Sequence, residues 1–410
     1  MIGGAARLKS PYLGTARFFR RAAILRLHSV GGSCYAAAMP PPADETELPP
    51  VAVMWENFGP THHDRLRALA RAGFDVDAIE LSSNSRSYLW EREEAAGYRV
   101  HTLDDRPGGA SGPGLFLRLV KVSLRSRARH VFLCHYERPL VFAAAVTLRL
   151  LGRRVYAMFD SKFDDYPRFV GREYAKSWFL APYRGALVAS RRSRDYLAFL
   201  GVPRRRIELG YDTIEIARLA GAGADADTEF AARPFLVVAR LISKKNIPLV
   251  LEAFARYRGR YADKRELHIV GYGPLEEDLR REVDQLGLGE AVRFFGLKGS
   301  AEVASAMARA LALVLASTEE QFGLVVNEAL AVGLPVIVSS NAGATDVLVE
   351  NLGNGIVIDP HDPETIVLAM AHMAGDEGRW LAMRERARET AMRGDASRFS
   401  EGIGRLVRSD

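Results

Sequence analysis

Two carboxylates with seven residues between them, Glu320 and Glu328, lie on either side of a glycine turn formed by Phe322, Gly323 and Leu324. A short apolar run before the turn predicts a buried strand, and the residues after it predict a helix. In such a unit the free N–H groups and the positive dipole end of the helix point out of the carboxyl edge of the sheet. The sequence therefore predicts that a phosphate-bearing ligand binds at this turn. It leaves open whether the two carboxylates form an acid–base pair.

A second group of candidate residues follows another apolar run, where Arg240, Lys244 and Lys245 lie in a turn that opens a helix. A bound diphosphate needs fixed positive charge, and an Arg guanidinium can bond two of its oxygens while a Lys ammonium acts as a point charge. Arg240 and both lysines, Lys244 and Lys245, are therefore candidate phosphate ligands. Cations at a helix start are also common on protein surfaces, and this pattern alone fits both interpretations.

Three glycines follow predicted strands, and we interpret them as positions where a ligand approaches the backbone closely: Gly271, Gly273 and Gly296. The first two belong to the sequence V-G-Y-G-P. This is not the dinucleotide-binding fingerprint, because Glu276 occupies the position of its third glycine.

Alternating strands and helices must position these residues. A length of 410 residues favours two domains, and 48% apolar with 26% charged residues is ordinary for a soluble globular protein. One strand–helix series begins at Val51 and another at Pro234, which predicts an α/β fold of two doubly wound parallel sheets facing a cleft. The predicted units are a first domain (49–213), a linker rich in Ala, Gly and Asp (214–233), a second domain (234–392), and a C-terminal helix (393–410) that packs back on the first domain.

The first 48 residues differ in composition from the rest of the chain. They are basic, with no acidic residue before Asp44, and a proline-rich stretch follows Met39. We interpret them as a disordered tail, or as upstream sequence if synthesis begins at Met39; a transit peptide has the same composition.

The charge of the chain is asymmetric. Residues 1–230 hold 34 Lys and Arg against 25 Asp and Glu, a net of +9, whereas residues 231–410 hold 22 against 25, a net of −3. A basic first half fits an anionic membrane face or a phosphorylated acceptor, and equally a solvated Arg-rich surface. Nucleic acid is a poor fit, because no basic motif interleaved with aromatic residues is present.

Few features of the sequence suggest an oxidising compartment or a membrane span. Only two cysteines occur, Cys34 and Cys134, and the second lies in an apolar run typical of a buried free thiol. No apolar run is long enough to cross a bilayer. We therefore expect a cytoplasmic protein, with peripheral contact to the inner membrane face as an open alternative.

Four motifs in order give the chain a family resemblance. A-R-L-I-S-K-K-N, V-G-Y-G-P, V-R-F-F-G and E-Q-F-G-L-V-V-N-E-A-L-A-V-G-L-P-V-I resemble the retaining glycosyltransferases of family 4, which have the GT-B fold. The resemblance is specific from about Phe235 to Pro360 and looser over the first domain. A stretch D-S-K-F-D-D-Y-P-R with a later L-G-Y-D resembles a bacterial surface-polysaccharide branch of that family.

The resemblance implies a role for each candidate residue of the second domain. Arg240 and Lys245 match the ligands of the donor diphosphate, and Glu328 matches the carboxylate that receives the two ribose hydroxyls. Glu320 matches the carboxylate that faces the donor sugar, which makes the two acids positioning groups. The backbone N–H groups of Phe322, Gly323 and Leu324 match the turn that meets the sugar and the distal phosphate, while Gly271, Gly273 and Gly296 border the base and the ribose.

Three positions depart from the family pattern. The first domain of the family often has a His after its fourth strand, near the reacting carbon, and Asp160 occupies that place. The family often has a pair of glycines followed by Glu after the next strand. The corresponding segment here, 342–346, has one glycine and ends in Asp346. The glycine that usually follows the phosphate-binding lysine is Asn246.

Four residues of the first domain remain as candidates for the acceptor side. Gly59 would let the loop after the first strand approach the donor phosphates, or it is a simple turn glycine. His62 and His63 begin a helix, where one of them would line the acceptor site and a solvated ring is the alternative. His135 follows a strand, as a satisfied loop histidine would.

No metal site is expected. The Asp-x-Asp sequence at Asp75 and Asp77 lies on a predicted strand, and the similar sequence at Asp225 and Asp227 lies in the linker.

We therefore predict a metal-independent hexosyltransferase of the retaining type. It would move a sugar from a UDP-, GDP- or ADP-sugar, with no permanent cofactor, to a hydroxyl of a glycan, a lipid-linked saccharide or a small molecule. Two alternatives stay open: a nucleotide-sugar epimerase of the same architecture, and a non-catalytic subunit that binds a nucleotide sugar.

Overall fold

The computed structural model describes residues 48–83, 94–105, 112–221 and 228–409. Two parallel β-sheets, both in one compact unit of the chain, form its framework. In the first strand, Val51 and Val53 belong to one buried cluster, whereas Ala52 and Met54 belong to another. Both faces of the sheet are therefore covered, which explains why its strands are continuous apolar runs without alternation.

The first sheet has seven strands in the order β3-β2-β1-β4-β5-β6-β7. Its strands are β1 Val51–Trp55, β2 Val76–Glu80, β3 Arg99–Thr102, β4 His130–Leu133, β5 Arg154–Phe159, β6 Gly185–Val188 and β7 Ile207–Leu209. The order reverses between β1 and β4, so the loops after these two strands diverge and leave a crevice at the carboxyl edge.

The second sheet has six strands in the order β10-β9-β8-β11-β12-β13. Its strands are β8 Phe235–Val238, β9 Leu267–Val270, β10 Val292–Phe294, β11 Ala312–Leu315, β12 Val336–Ser339 and β13 Gly355–Ile358. Here the reversal lies between β8 and β11, which are hydrogen-bonded neighbours. The fold class predicted from the sequence, two doubly wound parallel sheets, is confirmed.

Thirteen helices are assigned within the described residues. Those before the second sheet are α1 Pro60–Arg71, α2 Pro113–Arg125, α3 Pro139–Leu150, α4 Val170–Leu180, α5 Arg191–Phe199 and α6 Ile216–Ala220. The remaining ones are α7 Ile247–Tyr261, α8 Glu276–Gln285, α9 Ser300–Arg309, α10 Leu324–Ala331, α11 Pro363–Ala374, α12 Glu377–Ala391 and α13 Ser397–Arg408.

The segment predicted as a linker contains the short helix α6. Its Arg218 donates to Asp64 of α1 at 2.8 Å, and the backbone N–H of Glu215 donates to the same carboxylate at 3.1 Å. Asp64 is fully buried. Hydrogen bonds to the buried Asp64 carboxylate therefore hold this segment against the first domain. The composition of the segment does not indicate this contact.

The C-terminal helix α13 lies on the first sheet. Its Phe399 stacks on Trp55 of β1 with ring centroids 5.8 Å apart, and Arg405 forms an ion pair with Glu208 of β7. Gly402 faces Leu187, whose side chain would lie 2.5 Å from any added Cβ. The last helix of the chain thus covers the first domain.

Some predictions fall on residues that the structure does not describe. The tail (1–47), with Cys34, and the linker acids Asp225 and Asp227 lie outside the described residues. Among the described helices, none has the length and apolar character needed to span a bilayer.

Candidate functional site

A cleft of about 1720 Å³ opens between the carboxyl edges of the two sheets. On the first-domain side it is lined by the loops after β1, β4 and β5 and by one face of α4. On the second-domain side it is lined by the start of α9 and by the turn before α10. Five candidate residues of that turn and helix line it together with Asp160: Glu320, Phe322, Gly323, Leu324 and Glu328.

The glycine turn has a backbone shape that only glycine adopts easily. Gly323 has φ = 101°, in the left-handed region, and stands at the N-terminus of α10. Phe322 is buried beneath it at 4% exposure. Because the first N–H groups of a helix have no partner within the helix, the start of α10 is a natural anion site beside the cleft.

Lys245 and Glu320 meet at the reversal point of the second sheet. Lys245 follows β8, Glu320 follows β11, and their side chains form an ion pair that is largely buried. Ser317 also donates its hydroxyl to the Glu320 carboxylate at 3.0 Å. The sequence predicted both residues separately, and the strand order brings them into contact.

Asn246 explains how the chain manages without the usual glycine at this position. Its φ of 55° lies in the left-handed region, which Asn tolerates better than most residues. Its side-chain amide donates to the carbonyls of Ala316 and Pro360, at 3.2 and 2.7 Å. The residue therefore ties the loop that carries Lys245 to the ends of β11 and β13.

The strand-end glycines serve backbone packing. Gly271 has φ = 142°, and an added Cβ would lie 1.8 Å from the carbonyl oxygen of Ala239. Its N–H donates to the carbonyl of Gly296 at 2.8 Å. At Gly273, an added Cβ would lie 2.4 Å from the carbonyl oxygen of Leu241. These three glycines, Arg240 and Lys245 are not among the described residues that line the cleft. The glycines fix the loop that carries Arg240, and their place beside a bound donor stays a prediction.

Glu328 lies one helical turn into α10, on the cleft wall. Burial raises the pKa of its carboxyl to about 7; nearby Arg218 opposes this effect, and Asp64 adds to it. Arg218 is itself bound to Asp64. The Glu328 carboxyl therefore has a pKa near neutral pH, well above that of a solvated glutamate.

Two further acids lie on the first-domain side. Asp160 lines the cleft at the end of β5, and burial raises its pKa. Asp212 is buried, and burial raises its pKa too, although Arg65 at 3.2 Å favours the charged form. The Arg65 side chain is almost fully buried and also donates to the Thr213 carbonyl at 3.0 Å.

Sequence reasoning missed Arg65, Asp212 and Arg218. Asp212 was noted only as part of L-G-Y-D, and Arg218 lay in the predicted linker. No local signal marks Arg65, because its partner is 147 residues away along the chain. A buried Arg inside an otherwise regular helix leaves no trace in the apolar pattern.

The three histidine candidates lie in different surroundings. His62 lines the cleft, and its Nδ1 accepts a hydrogen bond from the Gly59 N–H at 3.0 Å. Burial, with a further contribution from Arg65, holds its pKa well below the usual range. The neutral ring therefore carries its proton on Nε2. His63 is buried against the Tyr98 hydroxyl, while His135 lines the cleft within 4 Å of Glu56 and Glu137.

Gly59 itself is the N-cap of α1, with extended backbone, and does not line the described cleft. Cys134, predicted as a buried thiol, is buried and unpaired with another cysteine among the described residues, and burial raises its pKa to about 12.

Asp346 joins the two domains. Its carboxylate accepts hydrogen bonds from the backbone N–H groups of Arg191 and Arg192, at 3.1 and 2.9 Å, in the first turn of α5. The Arg192 side chain reaches back to the Ser340 carbonyl at 2.9 Å. The residue that departs from the family pattern thus links the loop after β12 to the start of α5.

The Asp-x-Asp pair on β2 is engaged in structural contacts. Asp77 accepts from Arg99 and His101 at 2.9 and 2.8 Å, and also from the Ser126 hydroxyl. Desolvation opposes ionisation of Asp77, but these hydrogen bonds lower its pKa to about 2. Across the residues that the structure describes, no group of three or more His, Cys, Asp or Glu is arranged to hold a metal ion.

Comparison with known proteins finds a family match within the second half of the chain. Residues 231–392 match the model of the family described as glycosyl transferases group 1. A D-inositol 3-phosphate glycosyltransferase of Corynebacterium kroppenstedtii is 30% identical over 193 residues, which are 43% of this chain and 42% of that protein. An alpha-monoglucosyldiacylglycerol synthase of Streptococcus pneumoniae is 26% identical over 222 residues, 50% of this chain and 54% of that protein. The chain thus spans about half the length of these curated relatives.

The whole described fold also has solved counterparts. Anabaena HepE in complex with UDP superposes with a TM-score of 0.70 at 15% identity, over 88% of this chain and 100% of that one. At this identity the likeness concerns the fold, and it shows that the chain has the two-domain GT-B architecture.

Proposed function

We propose that this chain is a retaining, metal-independent glycosyltransferase of family 4 that moves a sugar from a nucleotide-diphosphate donor to an acceptor hydroxyl. The observation that carries the proposal is the meeting of Lys245 and Glu320 at the reversal point of the second sheet, beside the glycine turn that begins α10. The carboxylate and the anion-binding helix start both line the cleft, and Lys245, which is not one of its described lining residues, adjoins them through its ion pair with Glu320. The family match of residues 231–392 supports the same reading.

In the proposed mechanism, the bond between the sugar's anomeric carbon and the diphosphate oxygen breaks while the acceptor oxygen attacks on the same face. Arg240, Lys245 and the N–H groups at the Gly323 turn stabilise the negative charge that grows on the leaving diphosphate, and Glu320 orients the sugar. The acceptor proton passes to an oxygen of the departing phosphate. Fixed cations supply the charge stabilisation that other glycosyltransferases obtain from a metal ion.

The first domain would bind the acceptor, which we propose is a sugar or a lipid-linked saccharide. Asp160 replaces the usual histidine near the reacting carbon, and Arg172 and Lys176 of α4 line the same side of the cleft. The basic excess of the first half of the chain supports a cytoplasmic enzyme in peripheral contact with an anionic membrane.

Donor binding should depend on pH through Glu328. The two ribose hydroxyls need an ionised carboxylate as their hydrogen-bond acceptor, and the pKa of the Glu328 carboxyl without a donor is raised to about 7. The affinity for the donor should therefore rise with pH up to about 7 and then level off. Well below pH 7 it should fall by close to tenfold for each pH unit, and binding should release a proton from Glu328. Calorimetry with a nucleotide sugar, whose diphosphate keeps its charge over this range, measures both effects.

The matched variant for this experiment is Glu328→Gln. It should bind more weakly at high pH and lose the pH dependence below 7. A variant with the slope of the wild type would remove Glu328 from the ribose site.

The proposed function itself is tested by thermal shift against UDP-, GDP- and ADP-sugars, followed by product analysis. A ligand that selects the folded state adds about 2.7 kcal/mol of stability at roughly 100 times its Kd. We expect one nucleotide class to raise the melting temperature more than the others. Adding candidate acceptors should then release the nucleoside diphosphate and yield a glycoside of retained anomeric configuration.

Two results would contradict the proposal. Isomerisation of the sugar with donor alone would identify an epimerase. Nucleotide-sugar binding without release of nucleoside diphosphate, with any of the glycan and lipid-linked acceptors tried, would favour a binding subunit.

A further inference from the structure

The outer face of α4 is an exposed apolar surface. Val170, Tyr174 and Trp178 are spaced four residues apart and therefore lie along one side of the helix. They are 89%, 66% and 62% exposed, and Phe169 just before the helix is 68% exposed. We call these four residues the α4 stripe. Apolar surface of this kind, concentrated on one helix, marks an interaction site more often than scattered exposed side chains do.

The rest of α4 explains why the stripe is left outside. Glu173 and Leu180 are buried against the first domain, and Lys176 donates to Glu173 and to the Tyr196 hydroxyl, at 3.0 and 2.7 Å. Arg172 and Phe179, on the side of the helix opposite the stripe, line the cleft. The helix therefore stands at the rim, with one face toward the cleft and the other toward the surroundings.

The charge around the helix selects the partner. Residues 138–206 contain 15 Lys and Arg against five Asp and Glu, a net charge of +10. Of the five acids, Asp160 faces the cleft. The other four are each in an ion pair with a nearby cation: Asp164 with Arg192, Asp165 with Lys162, Glu173 with Lys176 and Asp195 with Arg204. The segment of the chain that contains the stripe thus has a strong net positive charge.

Aromatic side chains at the edge of a basic surface are the chemistry of a lipid interface, where Trp and Tyr sit at headgroup depth and Lys and Arg meet anionic lipids. We propose that the α4 stripe docks this protein on an anionic lipid bilayer, and that the acceptor enters the cleft from that bilayer. Docking deepens the membrane contact proposed above by naming the surface that makes it, and entry of the acceptor rests on the proposed glycosyltransferase activity.

The test is sedimentation of the full chain with phosphatidylcholine vesicles that contain or lack phosphatidylglycerol. The wild type should bind the anionic vesicles, and high salt should weaken the binding. The triple variant Val170→Ser, Tyr174→Ser, Trp178→Ser should bind them on the order of 100-fold more weakly, because three apolar side chains no longer leave water. Any contribution from the basic first residues is common to both proteins.

A matched control lies on the second domain. Leu352, Leu368 and Leu381 are also exposed, at 50–60%, but are separated along the chain and lie outside the basic region. Their triple serine variant should bind vesicles as the wild type does. Trp178 gives an independent readout, since its fluorescence should shift to shorter wavelength on vesicle binding and Trp178→Phe should abolish the shift with little loss of binding.

Folding and donor binding are checked separately from docking. The α4 variant should keep its nucleotide affinity, so a loss of vesicle binding is not a loss of fold. Retained vesicle binding by this variant would overturn the inference while leaving the glycosyltransferase proposal intact. The inference would also be overturned if the wild type does not bind vesicles but forms dimers, and the triple variant is monomeric. That result would show that the stripe binds a second copy of the chain.

Discussion

Replacing Glu320 by alanine is expected to lower turnover by about two to three orders of magnitude and to leave donor affinity within a few-fold of the wild type. The Glu320 carboxylate lines the cleft, where the proposed mechanism has it face the sugar, and it is oriented by Lys245 and by the Ser317 hydroxyl. Its loss removes the group that positions the anomeric carbon. It also releases Lys245 toward the diphosphate, which offsets weaker binding. Single-turnover rates and calorimetry on the same preparation separate the two effects.

Glu319→Ala is the matched control, because it removes the neighbouring carboxylate of the same loop. It should retain nearly full turnover. Glu320→Gln keeps the shape of the side chain without its charge and should be almost as slow as the alanine variant if charge is what positions the sugar. Wild-type turnover in Glu320→Ala would remove the residue from the mechanism.

Lys245→Ala has the largest expected effect on binding. A hydrogen bond to a charged group contributes about 1.5–3 kcal/mol, so donor and free nucleoside diphosphate should both bind roughly ten- to a hundredfold more weakly. The variant also leaves Glu320 without its cation in a largely buried position, facing the phosphates with like charge. Isothermal calorimetry with the nucleoside diphosphate measures the loss without any dependence on turnover.

The adjacent lysine provides the comparison. Lys244 contributes its backbone carbonyl to the fold, accepting from Thr318 at 2.9 Å, and alanine keeps that bond. Lys244→Ala should therefore bind as the wild type, and Lys245→Arg should recover part of the affinity. Equal affinity in Lys245→Ala and the wild type would refute the assignment of the diphosphate site.

The parts of the site that could be predicted are those with a local signature. A buried strand, a glycine and a helix start follow one another within a few residues around Gly323, and a cation follows a strand at Lys245. Their contact then follows from the strand order of a doubly wound sheet, since β8 and β11 are neighbours where the order reverses.

The parts that could not be predicted depend on contacts between distant segments. Arg65 bonds Asp212, and Asp346 caps α5, across 147 and 154 residues of chain. The sequence marks Gly271 as a glycine after a strand but does not show that the backbone at Ala239 leaves no room for a Cβ there.

The loop that contains Asp346 contacts both α5 of the first domain and the glycine turn before α10. The same segment accepts the N-terminus of α5 on one side and bonds the donor turn on the other, since Gly343 and Ala344 donate their N–H groups to the carbonyls of Glu320 and Phe322, at 3.3 and 2.9 Å. Separation of the domains would remove the α5 contact and loosen the support of the turn at the same time. Leaving-group stabilisation would then be complete only when the cleft is closed and bulk water is largely excluded. An open enzyme holding a donor would accordingly be a poor hydrolase, and the activated sugar would be kept for the acceptor.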